Sequence, residues 1–370
     1  MKDEKITIFQ TVAIYILVSI VPVVRYFPII MTGSARKGAW VAAILSIIPN
    51  ILLVLTLHTL MNKLRTKDGK KIETLADVFS TVYGKVIGTI IIIVYLLWTI
   101  LFAAVELRLF GERLISTTFT YAPIGFFIIT MLILVFFVVR GRVSNLGRFA
   151  ELFLELFLLI IVFILLTASS NFNFTNFWPV TTYDAKGIAI GILRGTNVFN
   201  MFTFSMFLGD KIRDKEKIKK TGMLAAITTA ILGLFGIIIT LGTFGEDLLP
   251  TLSQPFFMAL KVINLFGVLE RIEAIFITFW VVADFVLIAY NVLIASNICK
   301  QKFNLSERRI AVTPIVFIIL ILATIIANNY FSLQVIFIKY LAEISLSLGL
   351  FVPIITLLVA TLRSCTKTDC

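Results

Sequence analysis

Apolar residues occur in long continuous runs along the whole chain, and short polar gaps separate the runs. A helix needs about 20 residues, at about 1.5 Å each, to cross the roughly 30 Å hydrocarbon core of a bilayer. The runs do not alternate as barrel strands do, so we expect helices. The pattern predicts ten spans, numbered 1 to 10, at residues 8–31, 39–61, 86–115, 124–139, 149–168, 187–208, 221–244, 267–298, 310–327 and 334–362.

Lysine and arginine are rich in every second gap and sparse in the others. The gap between spans 6 and 7 holds six of them from Lys211 to Lys220, whereas the gap between spans 9 and 10, near Asn328, holds none. Cytoplasmic loops keep these cations and exported loops lose them. Both termini are therefore expected in the cytoplasm, which agrees with an even number of spans.

The composition indicates a membrane protein: 59% of residues are hydrophobic, 15% are charged and the mean hydropathy is +1.02. Soluble domains have roughly 45–50% apolar and about 25% charged residues. The alternating loops account for the net charge of +12, so we expect no nucleic-acid partner.

Catalytic chemistry finds little support in the sequence. The cysteines, Cys299, Cys365 and Cys370, lack metal-binding spacing, and the single histidine, His58, has no carboxylate partner within reach along the chain. The HExxH, GxSxG and phosphate-loop motifs are missing from the sequence. We expect no enzyme activity, no catalytic residue, no metal and no cofactor.

Spans 1 and 6 contain residues that interrupt helices. They read Ser19-Ile-Val-Pro22-Val-Val-Arg25-Tyr-Phe-Pro28 and Gly187-Ile-Ala-Ile-Gly191-Ile-Leu-Arg194-Gly195-Thr196-Asn197. In a ten-span chain these spans open two five-span halves, where inverted-repeat transporters carry their broken helices. We therefore predict one all-α integral membrane domain of ten transmembrane helices. It is a 5+5 inverted repeat (LeuT-like) with broken helices 1 and 6 and repeats at about 8–168 and 187–362. A simple proline kink in span 1 and glycine packing in span 6 are the alternatives.

Two broken helices that meet in mid-membrane favour an amino acid as the ligand. Half-helix N-termini offer free amides and partial positive charge to a carboxylate, and exposed carbonyls suit an ammonium group. Around the breaks, the predicted ligand-binding residues are Pro22, Val24, Arg25, Arg194, Gly195, Thr196 and Asn197.

Ionisable residues inside spans are costly and indicate function. Glu106 in span 3 has no partner one helical turn away, and Trp280 and Asp284 lie on one face of span 8. These three complete the predicted ligand site. Asp284 is a candidate proton carrier or cation partner; the alternative is helix packing with an arginine such as Arg25 or Arg194.

Two further intramembrane ion pairs are predicted from helical spacing. Arg108 and Glu112 in span 3 lie one turn apart, as do Lys339 and Glu343 in span 10. The Arg108–Glu112 pair is expected to be structural, and the Lys339 side chain is expected to extend toward the membrane surface.

Several short motifs follow one another in an order typical of a known family. The most specific are Gln254-Pro-Phe-Phe, Leu269-Glu-Arg-Ile-Glu-Ala274 and Phe279-Trp280; weaker ones are Ile6-Thr-Ile-Phe-Gln10, Gly147-Arg-Phe-Ala-Glu151 and Asn176-Phe-Trp-Pro179. The chain resembles the B subunit of bacterial spore germinant receptors. These endospore germination permeases are similar to the amino acid, polyamine and organocation transporter superfamily.

The resemblance implies the ten-helix inverted repeat and the sensing of a small nutrient, usually an amino acid, in the spore inner membrane. It also implies A and C partner subunits. One departure is Val21-Pro-Val-Val-Arg25, where relatives tend to carry a glycine-rich turn. Arg25 either supplies a fixed cation for a carboxylate or occupies the space and weakens binding.

Three functional hypotheses follow. In the first, an amino acid binds between spans 1, 3, 6 and 8 and favours one conformation of a receptor subunit. In the second, the chain is a proton-coupled permease with Glu106 or Asp284 as the carrier. In the third, it is a structural scaffold with a vestigial cavity, whose cytoplasmic loops recruit partners.

Overall fold

Helices make up most of the chain in the computed structural model, which describes residues 5–64, 69, 71–168, 172–262, 272–327 and 330–363. Within those ranges, extended segments pair at one bridge, between Ile6 and Ile212. The helices are α1 (Ile8–Arg25), α2 (Phe27–Ala35), α3 (Ala39–Leu45), α4 (Ile47–Lys63), α5 (Leu75–Thr117), α6 (Ile124–Arg140), α7 (Val143–Ala168), α8 (Ala185–Gly195), α9 (Met201–Ser205), α10 (Ile218–Leu248), α11 (Pro255–Val262), α12 (Ile272–Lys302), α13 (Arg309–Ile325), α14 (Tyr330–Ile336), α15 (Ala342–Leu346) and α16 (Val352–Leu362).

The helices coincide with the predicted spans. In the described part of the chain, six helical stretches are long and apolar enough to cross a membrane, and the α6–α7 pair, bent by 119°, makes a seventh candidate. This pair covers spans 4 and 5, α13 covers span 9, and interrupted helices form span 6. The predicted start of span 8 and the motif residues 269–271 lie outside the described residues.

Span 1 is interrupted at a single residue. α1 runs through Pro22 to Arg25, and α2 begins after Tyr26, which has φ −114° and ψ −29°. The N–H of Tyr26 still donates to the carbonyl of Pro22 at 2.9 Å. Pro28, which has no N–H, is tolerated only in the first turn of a new helix, so the interruption falls just before it. The predicted break therefore lies at Tyr26 rather than Pro22, and it exposes fewer peptide groups than we expected.

Span 6 changes helix type instead of unwinding. α8 ends at Gly195, a 3-10 turn covers Thr196–Val198, and α9 leads into a second 3-10 segment, Met206–Lys211. The glycines of α8 also permit close packing: a Cβ on Gly187 would lie 2.4 Å from the carbonyl oxygen of Ser34. Span 6 is therefore interrupted by 3-10 segments and not unwound, and the glycine packing that was the alternative is also present.

Short helical segments occupy the two longest gaps between the spans. On the predicted cytoplasmic side, a capping box of Thr74 and Asp77 starts α5. The chain then turns at Gly84, whose φ of 80° suits glycine, before α5 enters the membrane region. On the opposite side α11 follows a similar turn at Gly245, with φ 71°.

α1 lies at the centre of the bundle. It packs against α7, α10 and α12, and most of its side chains are buried. Because the helix is surrounded on all sides, the charged residue at its end, Arg25, is delivered into the protein interior.

Candidate functional site

Four charged side chains meet where α1 ends, and we call them the charged cluster: Arg25, Glu106, Arg113 and Asp284. Nη1 of Arg25 lies 2.5 Å from Oε2 of Glu106, and its Nη2 lies 3.2 Å from Oδ1 of Asp284. Arg113 contacts the second oxygen of Asp284 through its own Nη2. All four side chains are at most 2% exposed. The cluster therefore ties α1 to both α5 and α12.

Helical spacing explains this convergence. Glu106 and Arg113 are seven residues apart on α5, and Trp280 and Asp284 are four apart on α12, so each pair shares one helix face. Arg25 reaches these residues because it lies at the end of α1. The sequence prediction missed Arg113, although its seven-residue spacing from Glu106 is the signal that identifies it.

Trp280 forms an aromatic wall of the cluster. The guanidinium carbon of Arg113 lies 4.0 Å from the centre of this ring and that of Arg25 lies 5.7 Å away, so both make cation–π contacts. Oε1 of Glu106 and the indole nitrogen of Trp280 are buried here and lack a hydrogen-bond partner among the described residues. The site thus retains at least one acceptor and one donor.

The cluster favours the helix-packing interpretation of Asp284 over a proton carrier. Its carboxylate contacts two buried guanidiniums, one with each oxygen. Protonation of Asp284 would neutralise the carboxylate that both guanidiniums contact. Removing an anionic partner of a buried cation is strongly destabilising. Of the two arginines named in the prediction, Arg25 is the one that pairs with Asp284.

A small cavity lies beside the cluster, between spans 1, 3, 6 and 10. Its apolar wall includes Pro22, Tyr26, Ile30, Phe102 and Phe337, and its polar groups come from Arg194, Asn197 and Ser345. The rings of Tyr26 and Phe337 stack with centroids 3.9 Å apart and narrow the space. The volume of about 30 Å³ holds roughly two water molecules. This conformation is therefore closed around the cavity.

Arg194 lies at the cavity wall and away from the charged cluster. Its Nε lies 3.2 Å from Oε1 of Glu343, its Nη1 donates to Ser34, and the Arg194 side chain is 44% exposed. The predicted Lys339–Glu343 pair is replaced by this one, because span 6 lies against span 10; Lys339 lies over the Tyr340 ring. The predicted Arg108–Glu112 pair is present at 2.8 Å.

Three predicted ligand residues have roles in packing. Val24 faces a separate apolar cavity with Phe157 and Phe276, because it lies on the opposite side of α1 from the Tyr26 cavity. Gly195 lets α8 approach Ser46 and Met31. The Thr196 hydroxyl is buried and donates to the carbonyl of Leu193 at 2.5 Å.

Span 6 is joined to span 10 by a row of hydrogen bonds that the sequence does not predict. Side-chain donors of span 6 reach carbonyls of span 10: Asn197 to Ala342 at 2.8 Å, Asn200 to Ser345 at 2.9 Å and Thr203 to Gly349 at 2.6 Å. Span 10 contains two π-helical segments here, Phe337–Leu341 and Ser347–Phe351. Any relative movement of spans 6 and 10 must therefore break these hydrogen bonds, and otherwise the two spans move as a unit.

Within the described ranges, no group of three or more His, Cys, Asp or Glu side chains is arranged to hold a metal ion. The charged cluster and the neighbouring apolar wall are suited to binding charged and polar groups.

Comparison with known proteins agrees with the resemblance drawn from the sequence. The family model described as "Spore germination protein" matches residues 5–332. Similar proteins of Bacillus subtilis (strain 168) include the putative spore germination protein YfkT, 23% identical over 79% of this chain and 78% of its own length. Spore germination protein KB is 22% identical, over 82% and 81%. The predicted family is thereby confirmed.

Solved transporter structures share the fold. MhsT, crystallised in complex with L-phenylalanine, superposes with a TM-score of 0.67 at 12% identity, covering 98% of this chain and 100% of that one. Mhp1, a nucleobase-cation-symport-1 family transporter in a closed conformation with bromovinylhydantoin bound, gives 0.57 at 13% identity, over 93% and 78%. The prediction of a LeuT-like, multi-pass membrane fold is confirmed.

Proposed function

Because the chain belongs to the spore germination protein family, we propose that it is the nutrient-sensing subunit of a germinant receptor and that its ligand is an amino acid. The observation that carries the proposal is the cavity between the interrupted spans 1 and 6, whose wall residue Tyr26 is in contact with the buried Arg25 guanidinium. An apolar wall with a few convergent polar groups is the usual character of a small-molecule site.

The size of the cavity explains how binding becomes a signal. A volume of about 30 Å³ accepts roughly two waters, fewer heavy atoms than any free amino acid contains. The ligand therefore binds a second conformation, in which the rings of Tyr26 and Phe337 have separated. A ligand that binds one state better shifts the population toward it. That shift is what partner subunits detect.

The proposal includes a location and partners. The chain lies in the spore inner membrane. Both of its termini are in the cytoplasm, and the alternation of lysine and arginine between successive loops supports this orientation. It forms one domain of two inverted repeats and acts beside A and C subunits. In this arrangement it senses and does not catalyse.

The test uses spores and purified protein together. Spores that lack the gene lose their response to one amino acid, and that same amino acid raises the unfolding temperature of the purified full-length protein. Arg194→Ala, which alters the cavity wall at a half-exposed position, shifts the nutrient dose. Arg108→Ala, whose residue pairs with Glu112 away from the cavity, is the control. A normal response to every nutrient contradicts the proposal.

The transporter fold supports a second candidate, a proton-coupled amino acid permease. Glu106 is then the better carrier, because its Oε1 has no partner among the described residues whereas Asp284 is held by two arginines. Accumulation of an amino acid in proteoliposomes under a pH gradient favours the permease, and binding without flux favours the receptor. Silent cavity variants combined with a phenotype from loop residues 211–220 favour a scaffold.

A further inference from the structure

The Arg25–Glu106 pair borders the cavity. Arg25 lies between Pro22 and Tyr26, both of which line the cavity, and its guanidinium carbon is 5.5 Å from the centre of the Tyr26 ring. On α5, Glu106 is one helical turn from the cavity residue Phe102, on the same face. A ligand that enlarges the cavity past Tyr26 and Phe102 therefore approaches this ion pair.

The two members of the pair depend on each other to different degrees. Among the described residues, Arg25 forms ion pairs with both Glu106 and Asp284, whereas Glu106 forms its ion pair with Arg25. The other oxygen of Glu106 and the indole N–H of Trp280 are buried without partners there. Any ligand that separates the pair must therefore supply a cation to Glu106, or a buried carboxylate is left uncompensated.

We propose that the ligand binds by exchange with this internal ion pair and must carry both an ammonium and a carboxylate group. The ligand carboxylate replaces Glu106 at the Arg25 guanidinium, and the ligand ammonium replaces Arg25 at Glu106. Each buried charge keeps a partner of opposite sign, and no proton is transferred. The indole N–H of Trp280 and Oε1 of Glu106 supply one more donor and one more acceptor.

This inference rests on the proposed function and adds a rule of recognition. Blocking either end of the amino acid removes one half of the exchange. An N-acetyl derivative leaves Glu106 without a cation, and because an uncompensated buried charge costs several kcal/mol, it should bind at least about 100-fold more weakly. An amide derivative leaves Arg25 its contact with Asp284 and removes one charged hydrogen bond, so it should bind about tenfold more weakly.

The experiment measures ligand affinity on the purified full-length protein in detergent. The twenty standard amino acids are screened by thermal shift, and the strongest stabiliser is compared with its own N-acetyl and amide derivatives by titration. The expected result is a loss of at least about 100-fold for the N-acetyl derivative and of about tenfold for the amide derivative. If an amino acid binds but its derivatives bind within about threefold, the exchange is refuted while the sensing function stands. If no amino acid binds, both proposals fall.

A variant separates the exchange from simple steric exclusion. Glu106→Gln removes the need for a cation, so the penalty for N-acetylation should shrink to below about tenfold while the penalty for amidation persists. Glu112→Gln, on the same helix but outside the cluster, keeps both penalties. An undiminished N-acetyl penalty in Glu106→Gln refutes the proposal. The wild-type series remains decisive if the variant does not fold.

Discussion

Replacement of Asp284 by asparagine removes the charge at the centre of the cluster and preserves its shape. Oδ1 of Asp284 lies 3.2 Å from Arg25, and Oδ2 contacts Arg113. The three side chains are at most 2% exposed, so water cannot screen the change. In Asp284→Asn both guanidiniums lose this carboxylate.

The magnitude follows from the burial. Breaking a buried ion pair by removing one partner costs about 3–5 kcal/mol. The Arg108–Glu112 pair, one turn apart and 11% and 15% exposed, is the matched control. Removal of Glu112 leaves Arg108 its contacts with the carbonyls of Ala323 and Thr324, so the loss is that of a single hydrogen-bonded contact, about 0.5–1.5 kcal/mol. Asp284→Asn should therefore destabilise the protein several times more than Glu112→Gln does.

The assay is reversible unfolding of the purified protein in mixed micelles with increasing SDS, followed by tryptophan fluorescence. The double variant Asp284→Asn/Arg113→Gln should be less destabilised than the sum of the two single variants, because removing Arg113 relieves one buried cation. The reasoning is refuted if Asp284→Asn costs no more than Glu112→Gln does, or if the Asp284→Asn and Arg113→Gln substitutions are additive.

Three further outcomes are expected. Gly187→Ala should lower the free energy of unfolding by about 1–3 kcal/mol, because the added Cβ would lie 2.4 Å from the Ser34 carbonyl oxygen. Gly33→Ala, where the added Cβ has nothing within 4 Å, should be tolerated. Equal unfolding midpoints for the two variants would contradict this. Asn200→Ala, which removes the bond to Ser345, should cost about 0.5–2 kcal/mol and speed hydrogen exchange in α15; unchanged exchange would argue against coupling of the spans. Hydrogen bonds from the Thr181 amide and hydroxyl lower the pKa of Asp184, outside the membrane. Its contribution to stability is therefore present above the ordinary aspartate pKa and is lost as the pH falls through the lowered value, so Asp184→Asn should flatten the acid limb of the unfolding temperature.

The candidate site was partly accessible from the sequence. The sequence indicates Arg25, Glu106, Trp280 and Asp284 because charged or large polar-tipped side chains inside apolar runs are costly. The structure brings these four together, with Arg113 as a fifth member. Val24 and Gly195 lie next to the expected breaks but make other contacts, since a neighbour in sequence need not share a helix face.

The pairing of charges between spans was not accessible. The sequence offers Lys339 as a partner for Glu343 at helical spacing, but the structure pairs Glu343 with Arg194 from another span. The polar residues Asn200 and Thr203, which reach span 10, show no distinguishing pattern in the sequence because their acceptors are backbone carbonyls.

The sequence by itself determined the membrane class, the placement of the spans, the two interruptions and the family. These features follow from local composition, because lipid demands long apolar helices and because proline and glycine act on their own segment. Only the tertiary structure decided which charges compensate each other, which wall encloses the cavity and how small the closed cavity is. Those properties depend on distances between residues far apart in the chain, such as Arg25 and Asp284, and such distances are set by how the helices pack.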